Sequence, residues 1–461
     1  MRRLALLPVA TLLLAACTVG PDYRRPAYPV PPAFRGQGPE DPAESVADLA
    51  WWRVFEDETL QQLIRSALGE NYDLRIAAAR IMDARAQVTI TRSFQFPELN
   101  ASGSAIYEHI EGQRILLQPQ NQFSPVAGFD LAFEIDFWGR FRRATEAARA
   151  DLLATQDARR FVISTLVSDL ATAYFQLRSL DAELDVSRRT LATRQDSLRL
   201  VKLREQGGVA ALIDVRQAEI LVAGAAETVP ETERRIEQTE NVISVLLGRN
   251  PEAVPRGRSL LQQIGLPAVP PGVPSSLLER RPDIRQAEAQ LAAATARIGV
   301  AKSDYFPRVL LSGAAAGGGL LIDGSWVGPQ GLFSIGPQVH LPIFNTGRTA
   351  AGVSSAEARA QAALFQYQQT IQQAFREVAD ALVEQRKRRE FRVQQELLAV
   401  AADDTTRLAN IRYKGGVSTY LEVLDSERQS FDAQLGLVRS YRDELLAVVQ
   451  LYKALGGGWQ E

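Results

Sequence analysis

One large unit is written twice in this chain, and the duplication constrains the fold more than any other feature. LREQGGVAALIDVRQAE at 203–219 and IRYKGGVSTYLEVLDSE at 411–427 share a Gly-Gly-Val and, six positions beyond the second glycine, an acidic residue. The spacing of 208 residues also relates 247–248 to 455–456 and stays constant from 139 to 248. So long a constant offset indicates tandem duplication of a domain-sized unit rather than a short-period solenoid.

Each unit reads as helix, two strands, long helix, turn and second helix. Residues 141–206 contain neither proline nor glycine, which predicts one long helix, and residues 353–414 repeat this pattern. A glycine pair then follows, and glycine commonly ends a helix in the left-handed conformation. The sequence therefore predicts two coiled-coil hairpins, at 141–247 and 349–455. Their turns are predicted at Gly207, Gly208, Gly415 and Gly416.

The segment after the second turn carries a pattern typical of a coiled-coil seam. From 417 to 452, mostly apolar residues recur at alternating spacings of four and three, a period of about 3.5. This register places Leu421 and Leu424 in the seam. Glu422 and Asp425 then fall on an adjacent stripe of the helix, which by itself reads as a solvated face.

Four strands are predicted, at about 98–109, 126–137, 308–317 and 332–343. The second alternates most clearly, with large apolar residues on one face and three carboxylates on the other. A two-layer sheet with one buried face fits this alternation, and so does a membrane barrel strand with lipid outside and water inside. Since about eight strands are the fewest that close a barrel, the barrel reading requires several chains. The carboxylates, which would line its lumen, are Asp130, Glu134 and Asp136.

The N-terminus has the pattern of a bacterial lipoprotein signal. A basic start and a short apolar run precede Leu14-Ala15-Ala16-Cys17, which resembles a lipobox and contains the only cysteine. The sequence therefore predicts a signal peptide at 1–16 and acylation of Cys17. Several acyl chains would anchor the protein stably to a membrane.

Composition excludes several classes of function. A net charge of -2 with 46% hydrophobic residues disfavours a nucleic-acid partner and a disordered chain. Sequence motifs of hydrolases, zinc proteases and phosphate-binding loops are lacking, so an enzyme is disfavoured. The two histidines, His109 and His340, are not equivalent in the repeat. We therefore predict no cofactor and no metal site.

Several motifs together resemble the bacterial outer membrane factors, the TolC-like channels, in their lipoprotein branch. They are CTVGPDYRRP at 17–26, WWRVFEDETLQQLI at 51–64, DFWGRFRRATEAARA at 136–150, RRPDIRQAEAQLAAA at 280–294 and RYKGGVSTYLEVLDSERQ at 412–429. The resemblance implies a mainly α homotrimer whose twelve strands form one outer-membrane barrel above a helical periplasmic tunnel. It also implies a periplasmic adaptor and an inner-membrane RND-type pump as partners, with cargo undetermined.

The resemblance also implies a layout and a gate. The layout is a signal peptide at 1–16, a lipidated extended arm at 17–55, repeat 1 at 56–250, a linker at 251–275, repeat 2 at 276–456 and a tail at 457–461. The periplasmic gate is expected at Tyr413, Leu421, Glu422, Asp425 and Arg428, in the second repeat. A structural coiled-coil lipoprotein without channel activity remains the alternative, although it does not explain the duplicated strands.

Overall fold

The computed structural model describes residues 18–36, 54, 57–110, 120–263 and 272–459. In these ranges the helices are α1 (Glu58–Glu70), α2 (Tyr72–Ser93), α3 (Arg140–Gln206), α4 (Leu212–Leu246), α5 (Pro274–Arg280), α6 (Pro282–Ser303), α7 (Arg348–Lys414) and α8 (Tyr420–Ala454). The strands are β1 (Glu98–Ile110), β2 (Gln120–Ile135), β3 (Arg308–Ile322) and β4 (Ser325–His340). Among the described residues, no helix is both long enough and apolar enough to cross a membrane.

The predicted order of elements is confirmed in both repeats. Repeat 1 runs α2, β1, β2, α3, α4, and repeat 2 runs α6, β3, β4, α7, α8. We call α3 with α4 hairpin 1, and α7 with α8 hairpin 2. The long helices α3 and α7 have 67 residues each, and α4 and α8 have 35 each, so the duplication has kept the lengths of the hairpin helices identical.

The boundaries of two strands differ most from the prediction. β2 and β4 begin about six residues earlier than predicted and end at Ile135 and His340, before the predicted ends. β4 starts early because Asp323 and Gly324 both have positive φ, 45° and 84°, the geometry of a two-residue hairpin turn. β2 ends early because Asp136 turns away to accept a hydrogen bond from the α3 backbone.

The four strands form one antiparallel sheet in the order β1-β2-β3-β4. Its register places Phe129 opposite Ala101 and Ala315, whereas Asp130 lies opposite Asn100 and Ala314. Side chains alternate between the two faces of a strand. One face is therefore largely apolar in β2 and β4, whereas the opposite face carries Asp130 and Glu134 of β2 beside mostly small residues of β3. Large side chains on the apolar face are exposed in the single chain: Leu99, Tyr107, Phe129, Phe333, Ile335 and Val339.

The chain divides into two compact units, each with its own packing. The first comprises Met1–Ala27, Arg80–Gln156 and Gln286–Gln368, and the second Tyr28–Ala79, Asp157–Arg285 and Gln369–Glu461. The first contains the sheet and a small cluster of Ala294, Ile298 and Ala360. The second contains the hairpin turns.

A buried aspartate organises part of the second unit. Asp57 caps α1 by accepting the amide of Thr59 at 2.9 Å. Its other oxygen accepts the Tyr174 hydroxyl at 2.9 Å and the Arg258 amide at 3.0 Å. One carboxylate thus joins α1, α3 and the segment after α4, which suits a buried charge because such groups need several donors.

Candidate functional site at the hairpin tips

Both hairpins reverse direction through the same backbone arrangement. In hairpin 1 the Val209 amide donates to the Arg204 carbonyl at 2.9 Å, and the Gly208 amide donates to the Glu205 carbonyl at 2.8 Å. Hairpin 2 has the same bonds 208 residues later. Gly208 has φ 73° and Gly416 has φ 74°. This is the Schellman arrangement, in which a left-handed glycine closes the end of a helix.

The first glycine of each pair has a different role from the second. Gly207 and Gly415 lack a positive φ, and each amide donates to the carbonyl four residues earlier, at 3.1 and 3.0 Å. They therefore extend the helical hydrogen bonding by one step. Reversal of the chain depends on Gly208 and Gly416, since other residues adopt the left-handed region at a cost.

An apolar cluster joins the two hairpins beneath their turns. Hairpin 1 contributes three small residues and hairpin 2 contributes mainly larger ones. The buried members are Val201, Val215, Ala218, Ala409, Tyr413, Tyr420, Val423 and Leu424. The rings of Tyr413 and Tyr420 lie 5.2 Å apart, within the range of favourable aromatic pairs. The cluster fixes the position of one tip relative to the other.

Tyr413 of hairpin 2 also contacts an arginine of hairpin 1. The Arg204 guanidinium lies 4.5 Å from the Tyr413 ring centroid, and its Nη1 donates to the Tyr413 carbonyl at 3.1 Å. Burial raises the pKa of Tyr413, and the cation of Arg204 opposes that shift. The Tyr413 hydroxyl is buried without a hydrogen-bond partner among the described residues. The contact therefore rests on the ring and the backbone carbonyl.

The predicted acidic stripe is exposed and paired within the chain. Glu422 accepts from Arg412, across the turn, at 3.3 Å. Asp425 accepts from Arg428 at 2.9 Å and from the side-chain amide Nε2 of Gln429 at 2.5 Å. Exposed pairs of this kind contribute little stability, about 0–1 kcal/mol, so both carboxylates can change partners at small cost.

The predicted seam register of α8 is wrong at Leu421. Its side chain is 63% exposed, whereas Leu424 is buried. The buried stripe runs through Tyr420, Leu424, Glu427 and Phe431, again at spacings of four and three. The predicted register also includes Leu424 and Phe431, which are buried, so it fails at Leu421 rather than along the whole helix. Leu421 is instead exposed close to the turn.

The sequence did not predict that Glu427 of this stripe is buried and contacts Ser197 and Arg194 of hairpin 1. Glu427 accepts from Ser197 at 3.2 Å, and Arg194 donates to the Glu427 carbonyl at 3.4 Å. Burial raises the pKa of Glu427, and Ser197 and Arg194 oppose the shift. Arg194 also lies 5.0 Å from the Phe431 ring centroid. The available signal in the sequence was the position of Glu427, three residues after Leu424 and four before Phe431, which places it on the same buried face.

The predicted lumen carboxylates are held by partners of their own chain. Asp130 accepts from Asn100 on β1 at 3.1 Å, and Glu134 pairs with Arg140 at 3.2 Å. Asp136 lies beyond the end of β2 and accepts the α3 amide of Arg142 at 2.9 Å. Its predicted position on the strand is therefore wrong, because it serves the start of the following helix.

Two further predictions concern residues or groups away from the tips. Cys17 lies outside the described residues, which begin at Thr18. Thr18 itself packs against Gly139, where an added Cβ would come within 2.8 Å of its side chain. In the part of the chain that is described, no cluster of three or more histidine, cysteine, aspartate or glutamate side chains has metal-binding geometry.

Comparison with known proteins gives consistent matches over nearly the whole chain. A sequence model described as outer membrane efflux protein matches residues 63–249 and 273–457. The toluene efflux pump outer membrane protein TtgC of Pseudomonas putida is 35% identical over 99% of this chain and 95% of its own length. The cation efflux system protein CusC of Escherichia coli is 34% identical over 99% of both chains.

A solved structure agrees with these matches. The outer-membrane channel OprN matches with a TM-score of 0.85 at 33% identity, over 96% of this chain and 100% of the OprN chain. The predicted fold class, two tandem repeats carrying strands and long helices, is therefore shared with a solved channel.

Proposed function

The chain belongs to the outer membrane efflux protein family, and we propose that three copies of it form one passive conduit across the outer membrane. The observation that carries this proposal is the sheet, with its exposed apolar face and its opposite polar face. Four strands from each of three chains would give twelve, more than the roughly eight needed to close a barrel. The apolar face would then meet lipid, and Asp130 and Glu134 would face the water-filled lumen.

The helical hairpins supply the periplasmic part of this proposal. Substrates would enter from a periplasmic adaptor protein and an inner-membrane RND-type pump. Three apolar positions at the tips are exposed in both repeats, which supports a docking role for the adaptor. They are Leu203 with Ile411, Val209 with Val417, and Ile213 with Leu421. Exposed apolar patches on an otherwise polar surface commonly mark interaction sites.

Acylated Cys17 would add an anchor in the lipid of the outer membrane. A chain that is both acylated and inserted through its sheet has two independent membrane attachments. Intact-mass analysis of the mature protein is expected to show an acylated N-terminus beginning at Cys17. An unmodified N-terminus would remove the anchor from the proposal and leave the conduit intact.

The tip of hairpin 2 is proposed as the periplasmic gate. Tyr413 would hold it in place, and Leu421, Glu422, Asp425 and Arg428 would border the passage. Three copies of Glu422 and Asp425 near a threefold axis would form a carboxylate ring, which favours cations in a narrow pore. The exposure of both carboxylates in the single chain supports this role.

The similarity to known proteins does not select a cargo. Relatives of nearly equal identity are named for toluene efflux and for cation efflux. The chain has only two methionines and one cysteine, so it offers no concentration of soft ligands for a soft metal ion.

Conductance of the purified protein in a planar bilayer tests the conduit. We expect discrete channels that prefer cations, and a weaker preference after Glu422→Ala with Asp425→Ala. Gln217→Ala, at the position of hairpin 1 equivalent to Asp425, is the matched control and should leave selectivity unchanged. Absence of channels would favour a structural coiled-coil lipoprotein, whereas unchanged selectivity in the double variant would remove only the ring.

A further inference from the structure

The repeat relation predicts contacts between copies that one chain does not contain. Each residue of hairpin 1 has a counterpart 208 positions later in hairpin 2. If three chains close into a ring of six similar hairpins, the contact of hairpin 1 with hairpin 2 recurs between hairpin 2 and hairpin 1 of the next copy. Its residues follow by adding 208 on one side and subtracting 208 on the other.

We propose that Arg412 of one subunit pairs with Glu205 of the next and thereby marks the seam between subunits. The inference rests on the proposed trimer. Its template is the contact of Arg204 with Tyr413 inside one chain. Adding 208 to Arg204 gives Arg412, and subtracting 208 from Tyr413 gives Glu205. A cation on an aromatic ring in the chain thus becomes a cation facing a carboxylate at the seam.

A second contact between the hairpins has counterparts of the same chemistry at the proposed seam between subunits. Within the chain, the Ser197 hydroxyl donates to the Glu427 carboxylate at 3.2 Å. The corresponding pair at the seam is Thr405 of one copy and Glu219 of the next, again a hydroxyl and a carboxylate. Preservation of a donor and acceptor at both transferred positions favours the same docking geometry at both kinds of junction.

One apolar position near the turn is buried in hairpin 2 but exposed in hairpin 1, as expected if the neighbouring subunit covers it. Tyr420 is 3% exposed against hairpin 1, but its counterpart Leu212 is 57% exposed in the single chain. The difference is explained if hairpin 2 of the neighbouring copy covers Leu212. The exposure of an apolar side chain at a position that is buried in the other repeat supports a contact with the neighbouring copy at this point.

The stem of hairpin 2 has less apolar cover than the stem of hairpin 1. Phe175 and Glu183 on α3 are almost fully buried, whereas their α7 counterparts Val383 and Phe391 are 40% and 53% exposed. These two α7 residues line a groove of about 1010 Å³. The groove also carries four basic side chains, Arg35, Arg376, Lys387 and Arg388, and two carboxylates, Asp380 and Glu384.

Charge favours a second copy as the occupant of this groove. Between 227 and 240, helix α4 of hairpin 1 has glutamates at 227, 231, 233, 237 and 240 and arginines at 234 and 235, an excess of negative charge. In the ring, α4 of the next copy takes the place that α8 takes beside α3, where Arg439 pairs with Glu183 at 3.0 Å. This part of α4 would thus lie against a groove with more basic than acidic side chains, so that opposite net charges face each other.

Arg412 is already placed to serve the seam. In the single chain it reaches Glu422 at 3.3 Å, and both side chains are about half exposed. An arginine has five N–H donors and can contact two carboxylates at once. Arg412 would therefore link Glu422 of its own tip to Glu205 of the neighbour, so that a change at one gate residue is felt by the adjacent subunit.

Thiol cross-linking tests the pair. An arginine and a glutamate in contact have Cα atoms beyond disulfide range, about 7 Å, so a short bis-maleimide is applied to Glu205→Cys with Arg412→Cys. We expect covalent dimers and trimers on denaturing gels. Each single cysteine variant controls for cross-links that involve Cys17. The matched control is Glu205→Cys with Arg428→Cys, which should give only monomeric bands on the gel.

The oligomeric state is measured by light scattering in detergent before cross-linking. A monomer would overturn the proposed conduit and this inference together. A trimer that yields only monomeric bands would overturn the seam and leave the conduit standing. Charge exchange provides a second readout: Glu205→Arg should lower the trimer melting temperature, and adding Arg412→Glu should restore at least half of the loss. No restoration would also overturn the pairing.

Discussion

The two hairpin tips share a backbone and three exposed apolar positions but differ in their charged side chains. Both turn on a glycine of nearly equal positive φ. At the first tip Asp214 accepts the amide of Ala211 at 3.3 Å and so serves the start of its own helix. Its counterpart Glu422 reaches across the turn to Arg412 instead. The second tip thus has a charged pair where the first has a helix cap.

This difference shows which parts of a duplicated unit are free to diverge. The turn cannot vary, because a left-handed residue at that position favours glycine in both copies. Side chains on exposed helix faces cost little to exchange and can acquire separate roles. In this chain Arg204 of the first tip holds Tyr413 of the second, so one tip acts as a support and the other carries the proposed gate.

Removing the Tyr413 ring is expected to have the largest effect of these substitutions on stability and on resting conductance. Tyr413→Ala deletes a buried aromatic side chain from the cluster between the hairpins and the surface on which Arg204 lies. Loss of a buried aromatic ring typically costs about 3–5 kcal/mol. We expect a lower melting temperature and a higher resting conductance in single-channel recordings.

Tyr413→Phe is the matched control for that substitution. The hydroxyl of Tyr413 is buried without a partner in the described residues, so its removal should change stability by less than about 1 kcal/mol. Conductance should stay at the wild-type level. If phenylalanine and alanine opened the channel equally, the hydroxyl would be essential and the ring contact would not hold the tip.

The glycines test whether the shared backbone matters equally in both tips. Gly208→Ala and Gly416→Ala place a Cβ at positive φ, at a cost of about 1–2 kcal/mol each. Neither site has an atom within 4 Å of an added Cβ, so the cost is conformational. Gly207→Ala and Gly415→Ala, without positive φ, are the controls and should be nearly neutral. If the melting temperature fell for both glycine variants of one tip and for neither variant of the other tip, this account would be contradicted.

Sequence reasoning succeeded where a single physical requirement dominates. Chain reversal requires the left-handed glycines, and a strand that separates apolar from polar surface requires alternation, so both features could be predicted locally. The strand ends could not. Asp136 was assigned to β2 by alternation, but it accepts a hydrogen bond from the next helix, a competition that is invisible within the strand itself.

The site was predicted less completely than the fold. The period of about 3.5 predicts Leu421 in the seam and does not predict the burial of a glutamate at 427. The burial of Glu427 depends on Ser197 and Arg194 in the other repeat. A contact between residues 230 positions apart in sequence leaves no periodic signal in either segment.

The pH dependence of stability tests the buried Glu427. Its pKa is raised from 4.5 by burial, so between that value and the raised one the folded chain binds more protons than the unfolded chain. The contribution of Glu427 to stability should therefore be fully present below the ordinary pKa and be lost as pH rises through this window. Glu427→Gln should flatten the profile of melting temperature against pH. Glu422→Gln, at an exposed carboxylate of the same helix, is the control and should leave the profile unchanged.

The smallest change in stability is expected from the exposed pair that most distinguishes the tips. Asp425→Ala with Arg428→Ala removes one surface ion pair, worth about 0.5 kcal/mol or less, so the melting temperature should barely move. Resting conductance should nevertheless rise, because the proposed gate loses its charged border in all three copies. Gln217→Ala with Ile220→Ala makes the same double truncation at the first tip, where no such pair exists at those two positions. Equal conductance changes in the two double variants would mean that the tips have the same role, and the assignment of the gate to the second tip would then be wrong.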